Sequence, residues 1–241
     1  MALPEEVYRD KEGYVRRMFA SIAGRYDLMN NILSFRQDDR WRRLTAARSG
    51  LQRGGSAVDV CTGTGELARV LADAVGPGGK VVGLDFCREM LDVAEKKFSK
   101  PPYDGICSFV EGNALGLPFP DSSFDAATTG FALRNVTSVE QALAEMARVV
   151  RPGGRVLSLE LSKPVWPLFK TVYYLYFYHL VPLLGTIGQG RMGPYRYLPN
   201  SLTRFPDQET LAGIMRRVGL RDVHYHNLCG GIVALHIGTK A

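Results

Sequence analysis

The stretch VDVCTGTGE, residues 58–66, joins an apolar run to a turn that contains two glycines. Short apolar runs of this kind are typical of buried strands in parallel sheets, and glycine adopts turn conformations that other residues resist. Residues 63–68 (GTGELA) also match the G-x-G-x-x-G/A pattern of a dinucleotide site, in which the turn opens a helix. The stretch predicts a strand–turn–helix unit, and the rest of the chain must decide whether the turn holds NAD, another nucleoside or nothing.

Strand-like and helical segments alternate along the chain from this stretch onward, and their short connections are rich in glycine and proline. The strand-like runs are residues 57–61, 80–84, 107–110, 124–129 and 155–160. The helical runs, in which apolar side chains recur every three or four positions, are residues 66–75, 88–98 and 139–150. This alternation predicts a parallel sheet covered by helices on both faces.

The C-terminal part of the chain departs from this alternation. Residues 207–218 have helical periodicity with Asp207 at the N-cap, and two strands, 221–228 and 231–239, follow with only a tight turn between them. Strands joined so closely pair in the antiparallel sense. The prediction is therefore an α/β fold with a mostly parallel seven-stranded sheet and an antiparallel edge strand. This arrangement differs from the six-strand dinucleotide-binding order and is typical of the Rossmann-like class I S-adenosylmethionine-dependent methyltransferases.

Two acidic residues flank the glycine turn and bear on the identity of its ligand. A pyrophosphate binds the free N–H groups at a helix start, and Asp59 and Glu66 would repel it. The same carboxylates suit the sulfonium and ammonium groups of S-adenosylmethionine. Glu66 also fits the simpler role of a first-turn helix acid, whereas Asp59 within an apolar strand has no such explanation. The pattern favours S-adenosylmethionine over NAD.

Further cofactor contacts are expected at the ends of the next two strands. Asp85 ends the second strand, where an acid takes the ribose hydroxyls of either cofactor. Asn113 and Ala114 follow the third strand, where an amide side chain and a backbone N–H can read the adenine edge. The predicted cofactor-binding residues are Asp59, Gly63, Thr64, Gly65, Asp85, Asn113, Ala114 and Gly130.

Composition and charge indicate which partners, metal or disulfide sites and cellular compartment to expect. The net charge of +6 fits either ordinary solubility or attraction to an anionic surface, such as nucleic acid or a membrane leaflet. The four cysteines form no C-x-x-C pair, so neither a metal site nor a disulfide scaffold is expected. Residues 1–16 are charged and lack an apolar signal segment, which favours the cytoplasm.

We expect one domain over residues 1–241, with an N-terminal helical cap over 1–55 and an inserted apolar segment over 164–206.

Several motifs extend over nearly the whole chain. They are YDLMN (26–30), GFALRNV (130–136), RVVRPGGR (148–155) followed by Glu160, YRYLPNS (195–201) and GGIVALH (230–236). Together they resemble the C-methyltransferase family of ubiquinone and menaquinone biosynthesis. The resemblance implies cofactor contacts at Thr64, Asp85, Asn113 and Ala114.

Two positions depart from the pattern of this family. Asp38 stands where members often carry His or Gln, which puts a proton-transfer role there in doubt. Gly130 stands where many members carry Ser, so a hydroxyl contact to cofactor or substrate is lost at that position.

The resemblance implies methylation of a ring carbon of a polyprenyl quinol in menaquinone and ubiquinone biosynthesis. The first candidate substrate is demethylmenaquinol, which would become menaquinol. Such a carbon is nucleophilic when a neighbouring hydroxyl is ionised or bonded to a base, so the site must stabilise phenolate-like charge. We assign Arg134 and Asn135 to orienting this oxygen, and Tyr26 and Asp27 to closing over the cofactor. The alternatives are structural, namely an ion pair and cap for the first two residues and a cap and core aromatic for the others. No histidine falls in an acid–base motif, so the general base is unassigned.

Residues 164–185 are strongly apolar and aromatic. Lys170, His179 and Pro182 argue against a membrane span, which leaves two interpretations: an interfacial segment that takes a polyprenyl tail, or a buried helix. The expected partners are the quinol and peripherally the inner face of the cytoplasmic membrane, without nucleic acid, and the oligomeric state is open.

Three rival classes remain. One is a methyltransferase for another small hydrophobic substrate such as a sterol or polyketide, because cofactor motifs alone do not choose a substrate. The second is a nucleic-acid methyltransferase, suggested by the basic charge, although no Asn/Asp-Pro-Pro-Tyr motif follows the fourth strand. The third is a non-catalytic binding domain, against which the intact glycine turn argues.

Overall fold

The computed structural model describes residues 10–164, Tyr197 and residues 201–241. In this part of the chain, seven strands form one sheet in the order β3-β2-β1-β4-β5-β7-β6. The strands are β1 Ser56–Val60, β2 Lys80–Asp85, β3 Cys107–Glu111, β4 Phe124–Gly130, β5 Val150–Leu161, β6 Leu220–Leu228 and β7 Val233–Lys240.

The helices of the described ranges cover both faces and one end of the sheet. They are α1 Lys11–Ile22, α2 Tyr26–Leu33, α3 Gln37–Arg48, α4 Glu66–Val75, α5 Arg88–Phe98, α6 Val139–Val149 and α7 Gln208–Arg217. Successive residues of β1 point to opposite faces: Ala57 packs with Leu67 and Leu71 of α4, whereas Val58 packs with Leu143 of α6. The continuous apolar run of β1 therefore reflects burial on both sides, as expected for a parallel strand.

The C-terminal strands give the sheet its reversed pairing. β7 lies between β5 and β6 and is antiparallel to both, so the outermost strand β6 is held by antiparallel pairing. The side chain of Asp207 accepts a hydrogen bond from the backbone N–H of Thr210 and caps α7. The predicted fold class, a mostly parallel seven-stranded sheet with an antiparallel edge, is confirmed.

β5 is longer than the sequence indicated. It was expected over residues 155–160, and it begins at Val150, directly after α6. Val150 pairs with Phe124 and the next registered pair is Arg155 with Ala126, so the intervening residues form a bulge in the ladder. The proline and glycines of residues 152–154 end the helix as expected, but the chain crosses them within the strand.

Three helices precede the sheet. The indole of Trp41 in α3 packs with Leu157 of β5 and Leu235 of β7, and the turn after α1 packs through Ala23 against Met90 of α5. Within the described ranges, no helix combines the length and apolar composition that crossing a bilayer requires. Of the apolar segment predicted over 164–206, residues 165–196 and 198–200 lie outside the described residues.

Candidate active site

The turn between β1 and α4 has the backbone conformation that its glycines suggest. Gly63 and Gly65 have positive φ angles of 58° and 84°. A Cβ atom on Gly65 would also lie 2.7 Å from Cε2 of Phe98, so both conformation and space require glycine there. The backbone N–H of Thr62 donates to the carbonyl oxygen of Leu84 at 2.9 Å, which ties the turn to the end of β2.

Asp85 fixes the turn from the neighbouring strand. Its Oδ2 accepts a hydrogen bond from the backbone N–H of Gly63 at 2.8 Å, and its Oδ1 accepts one from that of Cys87 at 2.9 Å. Burial raises the pKa of this carboxyl above its ordinary value, while these backbone N–H groups favour the ionised form. Asp85 therefore shapes the turn, and it also lines the main cleft at this edge of the sheet.

The main cleft lies at the carboxyl ends of the first four strands and has a volume of about 710 Å³. This edge of an open α/β sheet is where ligands bind. Seven of the residues predicted for the site line this cleft: Tyr26, Gly63, Asp85, Asn113, Ala114, Gly130 and Asn135. Its apolar lining residues include Phe19, Phe86, Met90, Leu115, Phe131 and Val136.

A second cavity of about 390 Å³ adjoins the first on the far side of the glycine turn. The two share five lining residues: Tyr26, Cys61, Gly63, Gly130 and Phe131. Asp59, Thr64 and Glu66 line this second cavity together with Arg42. The predicted cofactor residues are thus divided between two adjoining spaces, except Gly65, which lines neither. Of the predicted catalytic residues, Asp27 and Arg134 also line neither.

The two acids beside the turn differ in their surroundings. The Asp59 carboxylate is buried, and the hydroxyls of Thr62 and Thr128 donate to it at 2.6 and 2.7 Å. Burial raises the pKa of Asp59 to about 6. Glu66 forms ion pairs with Lys97 at 2.9 Å and Arg69 at 3.4 Å.

The ion pairs of Glu66 change the electrostatic argument for a cationic ligand. Burial disfavours the ionised form of Glu66, but Lys97 and Arg69 outweigh it and hold its pKa below the ordinary value. The Glu66 charge is therefore compensated within the protein. Among the described residues, no basic side chain lies within 4.0 Å of the Asp59 or Asp85 carboxylate. The expectation of a cationic ligand therefore rests on these two acids.

The N-terminal helices are bonded across the glycine turn. The Thr64 hydroxyl donates to Oδ1 of Asp27 at 2.5 Å, and Lys97 Nζ donates to Oδ2 of Asp27 and to Oε1 of Glu66. The Asp27 carboxylate is thus engaged outside the main cleft. Tyr26, its neighbour in α2, lines both cavities.

Helix α1 is bonded across the opposite side of the cleft. Nδ2 of Asn113 donates to Oε1 of Glu12 at 3.1 Å, and Oδ1 of Asn113 accepts from the backbone N–H of Leu115 at 2.9 Å. Lys11 Nζ donates to the carbonyl oxygens of Arg134 and Val136 at 3.1 and 2.6 Å. Helices α1 and α2 are therefore both hydrogen-bonded to loops at the carboxyl ends of the strands.

The loop after β4 carries Arg134 and Asn135 and is held by a residue to which the sequence argument gave no role. Glu160 of β5 accepts hydrogen bonds from the backbone N–H groups of Ala132 and Leu133 at 2.7 and 2.8 Å, and its Oε2 lies 3.6 Å from an Arg134 nitrogen. The sequence gives two signals for Glu160: it is an acid at the end of the apolar run RVLSLE, and it follows one of the motifs that resemble the family.

The described histidines lie away from the cleft. His224, His226 and His236 are on β6 and β7. His236 is buried against the carbonyl oxygen of Gln208 at 2.9 Å, and burial lowers its pKa to about 4. They are not placed for acid–base chemistry in the cleft.

The sheet order, with its glycine turn between the first strand and helix and its antiparallel edge, is that of the class I methyltransferases. Residues 7–240 match the ubiE/COQ5 methyltransferase family, and the chain belongs to that family. Its methyl donor is S-adenosylmethionine.

Curated relatives that match nearly the whole chain support this family membership. The sequence is 45% identical over 232 residues to the demethylmenaquinone methyltransferase of Desulfitobacterium hafniense (strain Y51), covering 96% of this chain and 92% of that protein. It is 44% identical to the ubiquinone/menaquinone biosynthesis C-methyltransferase UbiE of Hahella chejuensis (strain KCTC 2396), covering 96% and 93%.

Solved structures show the same fold at low sequence identity. A SAM dependent methyltransferase from Aquifex aeolicus is 18% identical with a TM-score of 0.61, covering 83% of this chain and 89% of that one. The [4+2]-cyclase SpnF is also 18% identical, with a TM-score of 0.66 and 93% of each chain covered. Since a cyclase shares the fold, the fold alone does not set the reaction.

Proposed function

We propose that this protein transfers the methyl group of S-adenosylmethionine to a ring carbon of a reduced polyprenyl quinol, converting demethylmenaquinol to menaquinol. The observation that carries the proposal is the composition of the main cleft. Apolar side chains such as Phe86, Met90 and Phe131 line it together with the polar Asn135, and the neighbouring Arg134 is buried behind this wall beside Glu160. An aromatic ring with a hydroxyl group needs these two surfaces together, since the ring is apolar and its oxygen must be stabilised as an anion.

The residues present fit the donor. In this proposal Asp85 accepts hydrogen bonds from the ribose hydroxyls, and Asn113 and Ala114 contact the adenine; all three residues line the cleft. Asp59 and Asp85 supply negative charge for the sulfonium end, which carries the transferable methyl group. Asp59 contributes this charge above a pH of about 6.

The chemistry asks two things of this chain. The ring carbon forms a bond to the methyl carbon while the carbon–sulfur bond breaks and leaves its electron pair on sulfur, so the two reactants must be held in line. The ring carbon then loses its proton to a base and the ring becomes aromatic again. Arg134 and Asn135 stabilise the quinol oxygen in the charged form that makes its ring carbon nucleophilic.

The test uses methyl-labelled S-adenosylmethionine with reduced and oxidised demethylmenaquinone, a benzoquinol counterpart and a sterol. Transfer of label to the reduced naphthoquinol ring supports the proposal, because only the quinol has a nucleophilic ring carbon. Label in the sterol and in neither quinol would replace it with the rival substrate class.

We also propose peripheral contact with a membrane surface, from which a polyprenyl quinol must be drawn. Leu28, Ile32 and Phe35, on and just beyond α2, are 61%, 47% and 75% exposed, and Arg36 and Arg40 nearby are exposed as well. Exposed apolar side chains next to arginines suit an anionic lipid surface. The segment 164–185, for which the sequence leaves an interfacial segment and a buried helix open, lies outside the described residues apart from Pro164.

Co-sedimentation with vesicles tests this contact. Wild-type protein should bind vesicles that contain anionic lipid, and L28S/I32S should bind them several-fold less while keeping its affinity for S-adenosylmethionine. Equal sedimentation of the two proteins would contradict the contribution of this surface.

A further inference from the structure

Glu160 ends an apolar strand and is buried behind the wall of the main cleft. Its side chain is 1% exposed. Oε1 accepts both backbone N–H bonds from the loop after β4, whereas Oε2 has no hydrogen-bond partner among the described residues. A buried carboxylate with one bonded and one unbonded oxygen has hydrogen-bonding capacity that the loop does not use.

Arg134 connects Glu160 to the cleft. Its side chain is 7% exposed, one of its terminal nitrogens lies 3.6 Å from Oε2 of Glu160, and the same nitrogen donates to the carbonyl oxygen of Phe131, a cleft residue. Nε of Arg134 and Oδ1 of Asn135 are likewise buried without a hydrogen-bond partner among the described residues. Arg134 thus links Glu160 to the loop whose next residue, Asn135, lines the cleft.

We infer that Glu160 is a positioning residue for methyl transfer: its carboxylate fixes the loop after β4 and holds the Arg134 guanidinium in the orientation that stabilises the quinol oxygen. This role rests on the proposed function. The Glu160 carboxylate has two functions in this role, and they can be separated by mutation. The oxygen that accepts the two N–H bonds shapes the loop, and the negative charge orients and balances Arg134.

The charge of Glu160 changes near neutral pH. Burial raises the pKa of Glu160 to about 7, against the opposing effect of Arg134. The titratable groups that face this pair from other elements are the Cys61 thiol after β1 and the Tyr197 hydroxyl, and burial raises the pKa of each. Lys11 lies nearby through its bond to the Arg134 carbonyl, with a pKa lowered by burial. Glu160 is thus the group of this set that changes charge near neutral pH.

Glu160→Gln separates the two functions. The glutamine oxygen can still accept both N–H bonds, but the side chain carries no charge. We expect unchanged thermal melting and an unchanged dissociation constant for S-adenosylmethionine, with kcat on reduced demethylmenaquinone lower by about 10- to 100-fold. The wild-type kcat should rise as pH increases through about 7, because Arg134 is balanced only when Glu160 is ionised. This rise should be absent in E160Q.

Glu145→Gln is the matched control. Glu145 also pairs with an arginine, Arg148, and accepts a backbone N–H bond, from Leu117 at 2.7 Å, but it lies on α6 outside the cleft lining. It should keep the wild-type kcat and pH profile.

Further variants keep the inference open to contradiction. In a double-mutant cycle, E160Q should add less than threefold to the loss caused by Arg134→Met, since Glu160 acts through Arg134. Full additivity, or an E160Q kcat within threefold of wild type at every pH, would overturn the inference. Should E160Q not fold, Glu160→Asp decides: it keeps the charge, so a reduced kcat that still rises through neutral pH supports the role and a wild-type kcat contradicts it. If wild-type protein does not methylate the quinol at all, the proposed function fails instead.

Discussion

The cleft has two halves that differ in how their polar groups are bonded. In the half formed by β1, β2 and β3, the oxygens of Asp85 accept backbone N–H bonds from Gly63 and Cys87. In the half formed by β4 and β5, Arg134 Nε, Asn135 Oδ1 and Glu160 Oε2 are buried without a partner among the described residues. The polar side chain of the first half is hydrogen-bonded within the protein, whereas the second half contains buried polar atoms that have no hydrogen-bond partner among the described residues.

This contrast corresponds to two tasks. A nucleoside has the same shape in every turnover, so a loop fixed by internal hydrogen bonds binds it without reorganisation. A reacting oxygen changes its charge during the reaction, and a buried donor with spare capacity, here Arg134 Nε, can respond to that change. We therefore assign the first half to the donor and the second half to the quinol, and variants in each half should affect different measurements.

The largest effect is expected for Asp85→Ala. It removes two charge-assisted hydrogen bonds that shape the turn together with the acid proposed for the ribose, a loss of about 4 kcal/mol, or roughly 1000-fold in the dissociation constant for S-adenosylmethionine. Isothermal titration measures this. Glu111→Gln, at the exposed end of β3, is the control and should bind normally.

Asp59 joins the two halves, because it accepts bonds from Thr62 in the turn and Thr128 in β4. Its folded-state pKa of about 6 lies above the ordinary value of 3.8, so the folded protein binds a proton more tightly than the unfolded chain. The stability that Asp59 contributes is therefore complete below a pH of about 4 and is lost as pH rises through about 6.

Asp59→Asn does not titrate and exposes this dependence. Between pH 4 and 7 the free energy of unfolding of wild type should fall relative to D59N by about 2 kcal/mol. Urea denaturation at a series of pH values measures the difference. A constant difference across this range would show that Asp59 has an ordinary pKa.

Arg134→Met tests the second half. Without the guanidinium, kcat on the quinol should fall about 100-fold, or about 2.7 kcal/mol, because the charge on the reacting oxygen loses its stabilisation. The dissociation constant for S-adenosylmethionine should stay within twofold. Arg151→Met, which removes an exposed ion pair with Asp125, should leave both values unchanged. Weakened donor binding in R134M would contradict the division into halves.

The smallest effect is expected for Thr64→Val, which removes the hydroxyl bonded to Asp27. A hydrogen bond to a charged group is worth about 1.5 kcal/mol, so binding of S-adenosylmethionine should weaken by about tenfold while kcat at saturation changes little. Thr45→Val is the matched control, since its hydroxyl bonds only within α3, to the Trp41 carbonyl oxygen. Identical binding by T64V and T45V would exclude a role for the link between α2 and the turn.

Local patterns were sufficient to predict much of the fold. The predicted bounds of the helices Glu66–Val75 and Arg88–Phe98 agree with the structure, because apolar periodicity and the turns that end these helices are encoded within a few residues. The position of Asp85 at the end of β2 follows from the same local signals. β5 was expected to begin later because its bulge against β4 depends on pairing between strands, which the sequence does not display.

The bonding of the site depends on contacts between distant residues. Glu66 is compensated by Lys97, 31 positions away, and Asp27 is bonded to the same lysine 70 positions away. Glu160 reaches the loop after β4 because β4 and β5 are neighbours in register. A sequence identifies acids beside a glycine turn, but it does not show which of them are compensated.

Methyl transfer is tested directly by incubating methyl-labelled S-adenosylmethionine with the purified protein and reduced demethylmenaquinone under anaerobic conditions. We expect the label to enter a new methyl group on the quinol ring, and oxidised demethylmenaquinone to acquire none. Tight binding of the donor with no label in the reduced ring would contradict methyl transfer to the quinol.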